Sequence, residues 1–212
     1  MARQGRGLFI TLEGGEGSGK TTQAEALAER LRKRGFGVLL TREPGGTSRG
    51  QMIEEILKYR EQGNRLWPLA ELLLFEADRA QHVIEEIIPQ LAADDIVVCD
   101  RFTDSSLAYQ GYGRGLGLDF IRRLNDETTE GWTPDLTLLL DVPPEVGLSR
   151  GGDQTDVTGG ESLEFHQRVR EGFLALAREE PDRFVVIDAT LAPEEVTKRA
   201  MAAVENRLLS EG

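Results

Sequence analysis

The chain is poor in the residues that build disulfide scaffolds and metal clusters, with one cysteine and two histidines among 212 residues. Cys99 alone excludes an internal disulfide, and its place in the apolar run Ile96-Val97-Val98-Cys99 reads as a buried strand thiol. His82 and His166 stand apart without cysteine partners, so they carry no zinc signal and read as helix-face residues. No apolar run approaches the roughly 18 to 20 residues that span a bilayer, and the opening MARQGRGLFITLEGG shows no long apolar segment with a cleavage site. Neither membrane insertion nor secretion is expected, and the cytoplasm is the expected compartment. Positive charge is scarce too: 25 Lys and Arg face 37 Asp and Glu, for a formal charge of -12. Nucleic acid is therefore not an expected partner, because a phosphate backbone demands a broad basic surface. A small anionic ligand stays open, provided arginines cluster locally.

What is present is ordinary for a globular protein, at 39% hydrophobic and 29% charged residues. The length suits one well-buried domain covering 1–212, and no internal repeat or linker divides it. Apolar runs at Gly7 to Leu12, Val38 to Thr41, Ile96 to Cys99, Leu136 to Leu140 and Phe184 to Ile187 read as strands. Between them lie helical patterns. Ala24, Leu27, Ala28 and Leu31 fall at i, i+3, i+4, i+7, and a polar helix is expected around Gln51 to Arg60. A long helical stretch runs from about Leu69 to Leu91, interrupted at Pro89, and further helices are expected from Thr103, around Asp119 to Thr129, from Pro143-Pro144 to near Arg150, from Glu161 to about Arg178, and over Val196 to Leu208. Gly111 to Gly117 reads as a glycine-rich passage and 151 to 160 (GGDQTDVTGG) as a loop. Strands alternating with helices predict an α/β protein with a five-stranded parallel sheet and helices on both faces.

Ligands on such sheets bind beyond the carboxyl ends of the strands. Glu13, Glu43, Asp100, Asp141 and Asp188 each follow an apolar strand at once or nearly so, with Arg42 and Arg101 beside two of them. Any one could be a turn-capping carboxylate; together they suggest a charged pocket for a metal and phosphates. The stretch Gly14-Gly15-Glu16-Gly17-Ser18-Gly19-Lys20-Thr21 fits G-x-x-x-x-G-K-[ST], placed directly after a strand and before an amphipathic helix. Its glycines let backbone amides converge on phosphate oxygens at a helix N-terminus, Lys20 reaches the terminal phosphates, and the Thr21 hydroxyl can join a Mg2+ shell. This three-layer P-loop fold is expected to bind a nucleoside triphosphate through Gly14 to Thr22. The loop alone does not separate a kinase from a GTPase, a motor or a regulator.

Three further segments narrow the choice: Thr41-Arg42-Glu43-Pro44-Gly45-Gly46-Thr47, Phe75-Glu76-Ala77-Asp78-Arg79-Ala80-Gln81-His82, and Asp100-Arg101-Phe102-Thr103-Asp104-Ser105-Ser106-Leu107-Ala108-Tyr109-Gln110. With the glycine loop they closely resemble the bacterial thymidylate kinase family, over nearly the whole chain from about Leu8 to the C-terminal helix. The resemblance implies transfer of the ATP γ-phosphoryl group to dTMP, giving dTDP for dTTP synthesis, with Mg2+ as cofactor and a homodimer as the assembly. It implies that Phe75 stacks on the thymine ring and Arg79 donates to a thymine carbonyl. Arg101, and in some members the arginine at Arg42, would hold the 5'-phosphate. Ser105 and Ser106 would lie at the base edge and Tyr109 near the sugar, with Glu43, Pro44 and Gln110 completing the dTMP site. Glu16 would stand near the 3'-hydroxyl or the metal, and Asp100 would orient metal-bound water. On periodicity alone Phe75 would be core beside Leu72 and Leu73, and Arg79 a solvated helix residue.

The attacking group would be a phosphate oxygen already ionised at neutral pH, so positioning and charge neutralisation carry the catalysis. The 151–160 loop would close as a lid and exclude water. Here the chain departs from the family pattern R-x-x-x-R-x-x-x-x-D-R-x-E: Asp156 matches the motif aspartate, Val157 stands where its arginine would be, and the glycine loop has no arginine. Arg150 at the lid edge, or Arg114, is the expected substitute. Two other readings stay open at this point, a kinase for a different monophosphate and a nucleotide-binding protein without efficient transfer.

Overall fold

A computed structural model of the chain describes residues 7–59, 66–150 and 160–210. The predicted strands form β1 (Phe9–Glu13), β2 (Val38–Arg42), β3 (Ile96–Asp100), β4 (Leu136–Asp141) and β5 (Phe184–Asp188). They pair in parallel in the order β2-β3-β1-β4-β5, with Leu12 opposite Asp100, Arg42 opposite Asp100 and Asp141 opposite Asp188. This register lines up the acidic strand ends along one edge. The chain leaves β1 toward β2 on one side and passes from β3 to β4 on the other, so the crevice of an open sheet falls beside β1.

Side chains alternate across the sheet and build a core on each face. Ile10, Leu12, Val98 and Leu138 pack with Leu27 and Leu31 of α1 (Lys20–Lys33) and with Val196, Ala200 and Val204 of α9 (Pro193–Ser210). On the opposite face lie Phe9, Val97, Cys99 and Leu139, under residues of α3 (Pro68–His82), α4 (Ile88–Ala92), α6 (Leu118–Thr128) and α8 (Leu163–Glu179). Cys99 is a buried free thiol, as its apolar run predicts. Each fully buried Leu or Ile side chain contributes about 1.5 to 3 kcal/mol of transfer free energy, so the cores rather than helix propensity hold the layers together. Thr11 and Thr137 break the apolar pattern in adjacent strands, and their hydroxyls satisfy each other at 2.8 Å.

Three elements differ from the sequence expectation. Helix α2 (Ser48–Lys58) begins earlier because Thr47 caps it, accepting from Gly50 N at 2.9 Å. The stretch expected to break at Pro89 stays helical: a π-helical turn at Val83–Ile87 precedes the proline, which then sits in the first turn of α4, where its missing N–H costs nothing. After α5 (Thr103–Ser106) the chain winds as a π-helix over Leu107–Gly113, into what the glycines had marked as an irregular passage. Gly111 and Gly113 serve close packing there; a Cβ at Gly111 would meet Leu118 Cδ2 at 2.5 Å and one at Gly113 would meet Phe165 Cε2 at 2.7 Å. The short α7 (Pro144–Ser149) ends at Arg150, and the loop expected over 151–160 lies, up to 159, outside the described residues.

Candidate active site

The loop from Gly14 to Gly19 joins β1 to α1 and wraps around one ammonium group. Gly17 has φ 64°, and α7 approaches it so closely that any Cβ would collide with the Gly147 carbonyl, so only glycine fits. Lys20 Nζ donates to the Gly14 carbonyl at 3.1 Å, the Gly15 carbonyl at 2.8 Å and Ser18 Oγ at 3.3 Å. Burial lowers its pKa to about 8, with the Arg101 guanidinium adding to the effect. An arriving polyphosphate would replace weak carbonyl partners with full negative charge and favour the protonated amine.

Thr21 Oγ1 donates to Asp100 Oδ2 at 2.6 Å, whereas Asp100 Oδ1 is buried with no hydrogen-bond partner among the described residues. Such an oxygen is costly unless a ligand completes it. The other acidic strand ends are occupied. Glu43 accepts from Arg79 Nε at 2.9 Å and pairs with His82 Nδ1 at 3.0 Å, Asp141 receives Arg170 at 2.7 and 2.8 Å, and Asp188 caps its own turn through Thr190. The expected pocket of five carboxylates thus narrows to Asp100, and among the described residues no group of three or more His, Cys, Asp or Glu gathers around a metal position. Hard oxygens from Asp100 and Thr21 fit a divalent cation that takes its remaining ligands from phosphate and water.

Arg101 follows β3 with φ 70°, a left-handed conformation seldom held by residues with a side chain. Glu13 holds the turn in place, accepting from Phe102 N at 2.8 Å and from Ser105 Oγ at 2.6 Å. Burial, and after it the charge of Asp104, raises the Glu13 carboxyl to about 8. The turn projects the Arg101 guanidinium over the Tyr109 ring at 5.0 Å, where it donates to Glu16 Oε1 at 3.1 Å; the Tyr109 hydroxyl donates to the same oxygen at 2.9 Å.

Two spaces meet at this cluster. One, of about 460 Å3, is lined by Phe75, Arg79, Phe102, Ser105, Ser106, Tyr109 and Gln110. The other, of about 1030 Å3, is lined by Gly17, Gly19, Lys20, Thr21, Thr22 and Asp100 on one side and by Arg42, Glu54 and Lys58 on the other. Glu16, Glu43, Pro44 and Arg101 form their common wall. Arg79, far from a solvated helix residue, is 2% exposed. It donates to Glu43, Glu76, Ser106 and Asn125, and through Nη2 to the Phe102 carbonyl at 3.2 Å. That Nη2 has a second N–H with no partner among the described residues, on a residue that lines the smaller space.

The remaining arginines divide. Arg42 is held by Glu54 through two bonds of 2.7 and 2.6 Å. Arg114 is engaged by Glu71 and Glu161 and lies over Phe165. Arg150 is exposed and donates to the Ala189 carbonyl at 2.9 Å; its backbone N–H bonds to Gly147, the residue packed on the glycine loop.

Sequence reasoning missed His82, Asp78 and Arg170. His82 is wholly buried between Glu43 and Thr41 Oγ1, and Asp78 accepts from Gly45 N at 3.1 Å. Burial, and then Glu43, pushes the Asp78 carboxyl up to about 6. Arg170 lines a small cleft with Gly15, Glu16 and His166. A signal existed for the first two: Glu71, Asp78 and His82 recur at helical spacing on one face of α3, polar side chains where a core stripe would otherwise run.

A glycine loop folded around a buried lysine, beside a second space lined by Phe75 and Tyr109 and meeting the first at Arg101, is the arrangement of a P-loop nucleoside monophosphate kinase. The thymidylate kinase family model matches residues 12–200. Thymidylate kinase of Synechococcus sp. (strain JA-2-3B'a(2-13)) is 58% identical over 201 residues, covering 95% of this chain and 96% of that protein. The Deinococcus radiodurans thymidylate kinase is 50% identical over 204 residues, covering 95% and 98%. The crystal structure of thymidylate kinase from Ehrlichia chaffeensis superposes with a TM-score of 0.77 at 38% identity, covering 93% of this chain and 98% of that one. The chain belongs to the thymidylate kinase family, and it phosphorylates dTMP to dTDP with ATP as donor. Among the described residues no helix is long and apolar enough to cross a membrane.

Proposed function

We propose that the larger space takes the ATP triphosphate along Gly14 to Thr22, that the smaller one takes dTMP, and that the two phosphates meet at Arg101. The observation carrying this assignment is the shared wall of Glu16, Glu43, Pro44 and Arg101, which brings an acceptor phosphate to the side of Lys20. Phe75 offers a ring face for stacking, while Arg79, Ser105, Ser106 and Gln110 supply polar groups at the base edge. Tyr109 and Glu16, joined at 2.9 Å, close the sugar side. Arg101 is already the right donor for a phosphate, planar and permanently charged, and its present partner Glu16 is the group an acceptor phosphate would displace.

Thr21 and Asp100 would hold Mg2+, consistent with the unpartnered Asp100 Oδ1; when bound, the ion neutralises charge on the donor phosphates. Lys20 and Arg101, which both donate to the Gly14 carbonyl at 3.1 and 3.3 Å, then share the charge of the transferred group, and Arg150, one turn beyond the Gly147 contact with the glycine loop, supplies further positive charge. The whole chain acts in this reading as one kinase domain in the cytoplasm, the compartment that supplies ATP and deoxynucleotides. A homodimer is supported by apolar side chains exposed on neighbouring helices, Met52 and Ile56 on α2 and Leu69 and Leu73 on α3, each pair at i, i+4 spacing; sedimentation equilibrium checks it, and a monomer at all concentrations would refute it.

The site assignment is tested by coupled ADP-release kinetics with dTMP, dUMP, dCMP and dGMP, with Mg-ATP and with ATP plus chelator. Turnover restricted to thymine and uracil acceptors and abolished by the chelator is expected. Equal rates with dCMP, or undiminished turnover without divalent ion, would overturn the assignment.

A further inference from the structure

We infer that Glu71, which lies behind the smaller cavity, sets its base preference by fixing which end of the Gln110 amide faces the base. Gln110 Nε2 donates to Glu71 Oε1 at 2.8 Å, and both residues are buried. A carboxylate offers only acceptors, so the amide nitrogen must turn toward it and the carbonyl Oε1 must turn away. That oxygen has no partner among the described residues, yet it is not among the sealed, unsatisfied atoms; Gln110 lines the cavity, and Oε1 is the group it presents there. Glu71 cannot swing aside to let the amide rotate. Arg114 clamps both of its oxygens, Nε to Oε1 at 3.2 Å and Nη2 to Oε2 at 3.0 Å, and is itself anchored to Glu161 at 2.7 Å and laid over Phe165 at 4.7 Å.

The cavity thereby shows a base an acceptor from Gln110 and a donor from the remaining N–H of Arg79 Nη2. Thymine presents the complementary pair, a ring N–H and a carbonyl. Cytosine presents the opposite pair, a ring nitrogen acceptor and an amino group, and is mismatched at both points. With the amide free to rotate, the Gln110 mismatch would disappear at little cost. Glu71 is thus a positioning residue: it touches no substrate and acts through Gln110. The inference rests on reading this cavity as the dTMP site.

The experiment measures KM and kcat for dTMP and dCMP in the full chain, in Glu71→Ala and Gln110→Leu, and in the double variant, with Glu71→Gln as the shape-preserving form should the alanine variant not fold. Glu71→Ala is expected to raise KM for dTMP about tenfold with kcat little changed, and to narrow the dTMP over dCMP preference by about the same factor. In the Gln110→Leu background the Glu71 change should add less than about twofold, because its effect passes through Gln110. An unaltered preference in both Glu71 variants, or the same loss with and without Gln110, overturns the inference while leaving the dTMP site intact. An unchanged dTMP KM in Gln110→Leu would overturn the base-edge role of Gln110 and the inference with it.

Discussion

Replacing Glu13 by Gln should change how stability depends on pH far more than it changes stability near pH 5. In the folded protein the Glu13 carboxyl, buried against Asp104, ionises only near 8, against 4.5 for an ordinary glutamate. Between those values the folded chain holds a proton that the unfolded chain has released, so raising the pH through this window removes stability. The gap of about 3.5 pH units corresponds to a ceiling of about 5 kcal/mol. Of this, about 1.4 kcal/mol is already lost by pH 5.5 and the rest by pH 8.5, leaving about 3 kcal/mol to be seen between them. Glutamine keeps the shape of the protonated acid, can still accept from Phe102 N, and cannot ionise. Asp78 titrates beside the same range but is common to the two proteins and cancels in the difference; Lys20 titrates there too and feels the Glu13 charge, though less than burial, Arg101, Asp100 and Glu16. Urea unfolding at pH 5.5, 7.0 and 8.5 should therefore show Glu13→Gln gaining on the parent by up to about 3 kcal/mol as the pH rises. Parallel profiles, agreeing within about 1 kcal/mol throughout, would show that Glu13 does not hold its proton and would refute the reasoning.

Three further outcomes follow from the arginines. Arg101→Ala should raise the dTMP KM and lower kcat, for a combined loss of about 10^2 to 10^3 in kcat/KM that Arg101→Lys does not restore, while Arg150→Ala should lower kcat alone; an unchanged kcat in Arg150→Ala removes that residue from the mechanism. Arg79→Met strips partners from the buried Glu43 and Glu76 carboxylates and should cost about 3 to 5 kcal/mol in a denaturant titration, a loss below about 1 kcal/mol showing that the surrounding carboxylates do not depend on it.

The strands and the glycine loop were legible because each is an apolar run closed by a chemically distinctive end, whereas the ring cavity was reached through the family resemblance, since periodicity alone puts Phe75 in the core and Arg79 in solvent. Phe75 and Arg79 are one helical turn apart, and Arg101, Ser105, Tyr109 and Gln110 follow one strand end. Partnership was not legible. His82 meets Glu43 and Gln110 meets Glu71 across 39 positions in each case, and no local pattern announces such a pairing. The five acidic strand ends looked equivalent in sequence because their spacing shows position and not company; only packing reveals that Arg79 and Arg170 neutralise two of them, with His82 hydrogen-bonded to the first, and leave Asp100 with an open oxygen. Glycine at 111 and 113 misled for a related reason, since a glycine needed for close approach reads the same as one that breaks a helix.

The π-helical winding over Leu107–Gly113 also limits how this segment can vary. A π turn holds one residue more than the α turn it replaces, so shortening the stretch by one would restore regular winding and rotate the residues beyond the deletion by about 100°. Either the Tyr109 and Gln110 side chains or the Arg114 anchor would then leave its present partner. Substitutions within these positions change what the ring cavity reads, whereas a gap of a single residue disconnects the cavity from its support, and homologous sequences can be compared across this stretch letter for letter only where its length is kept.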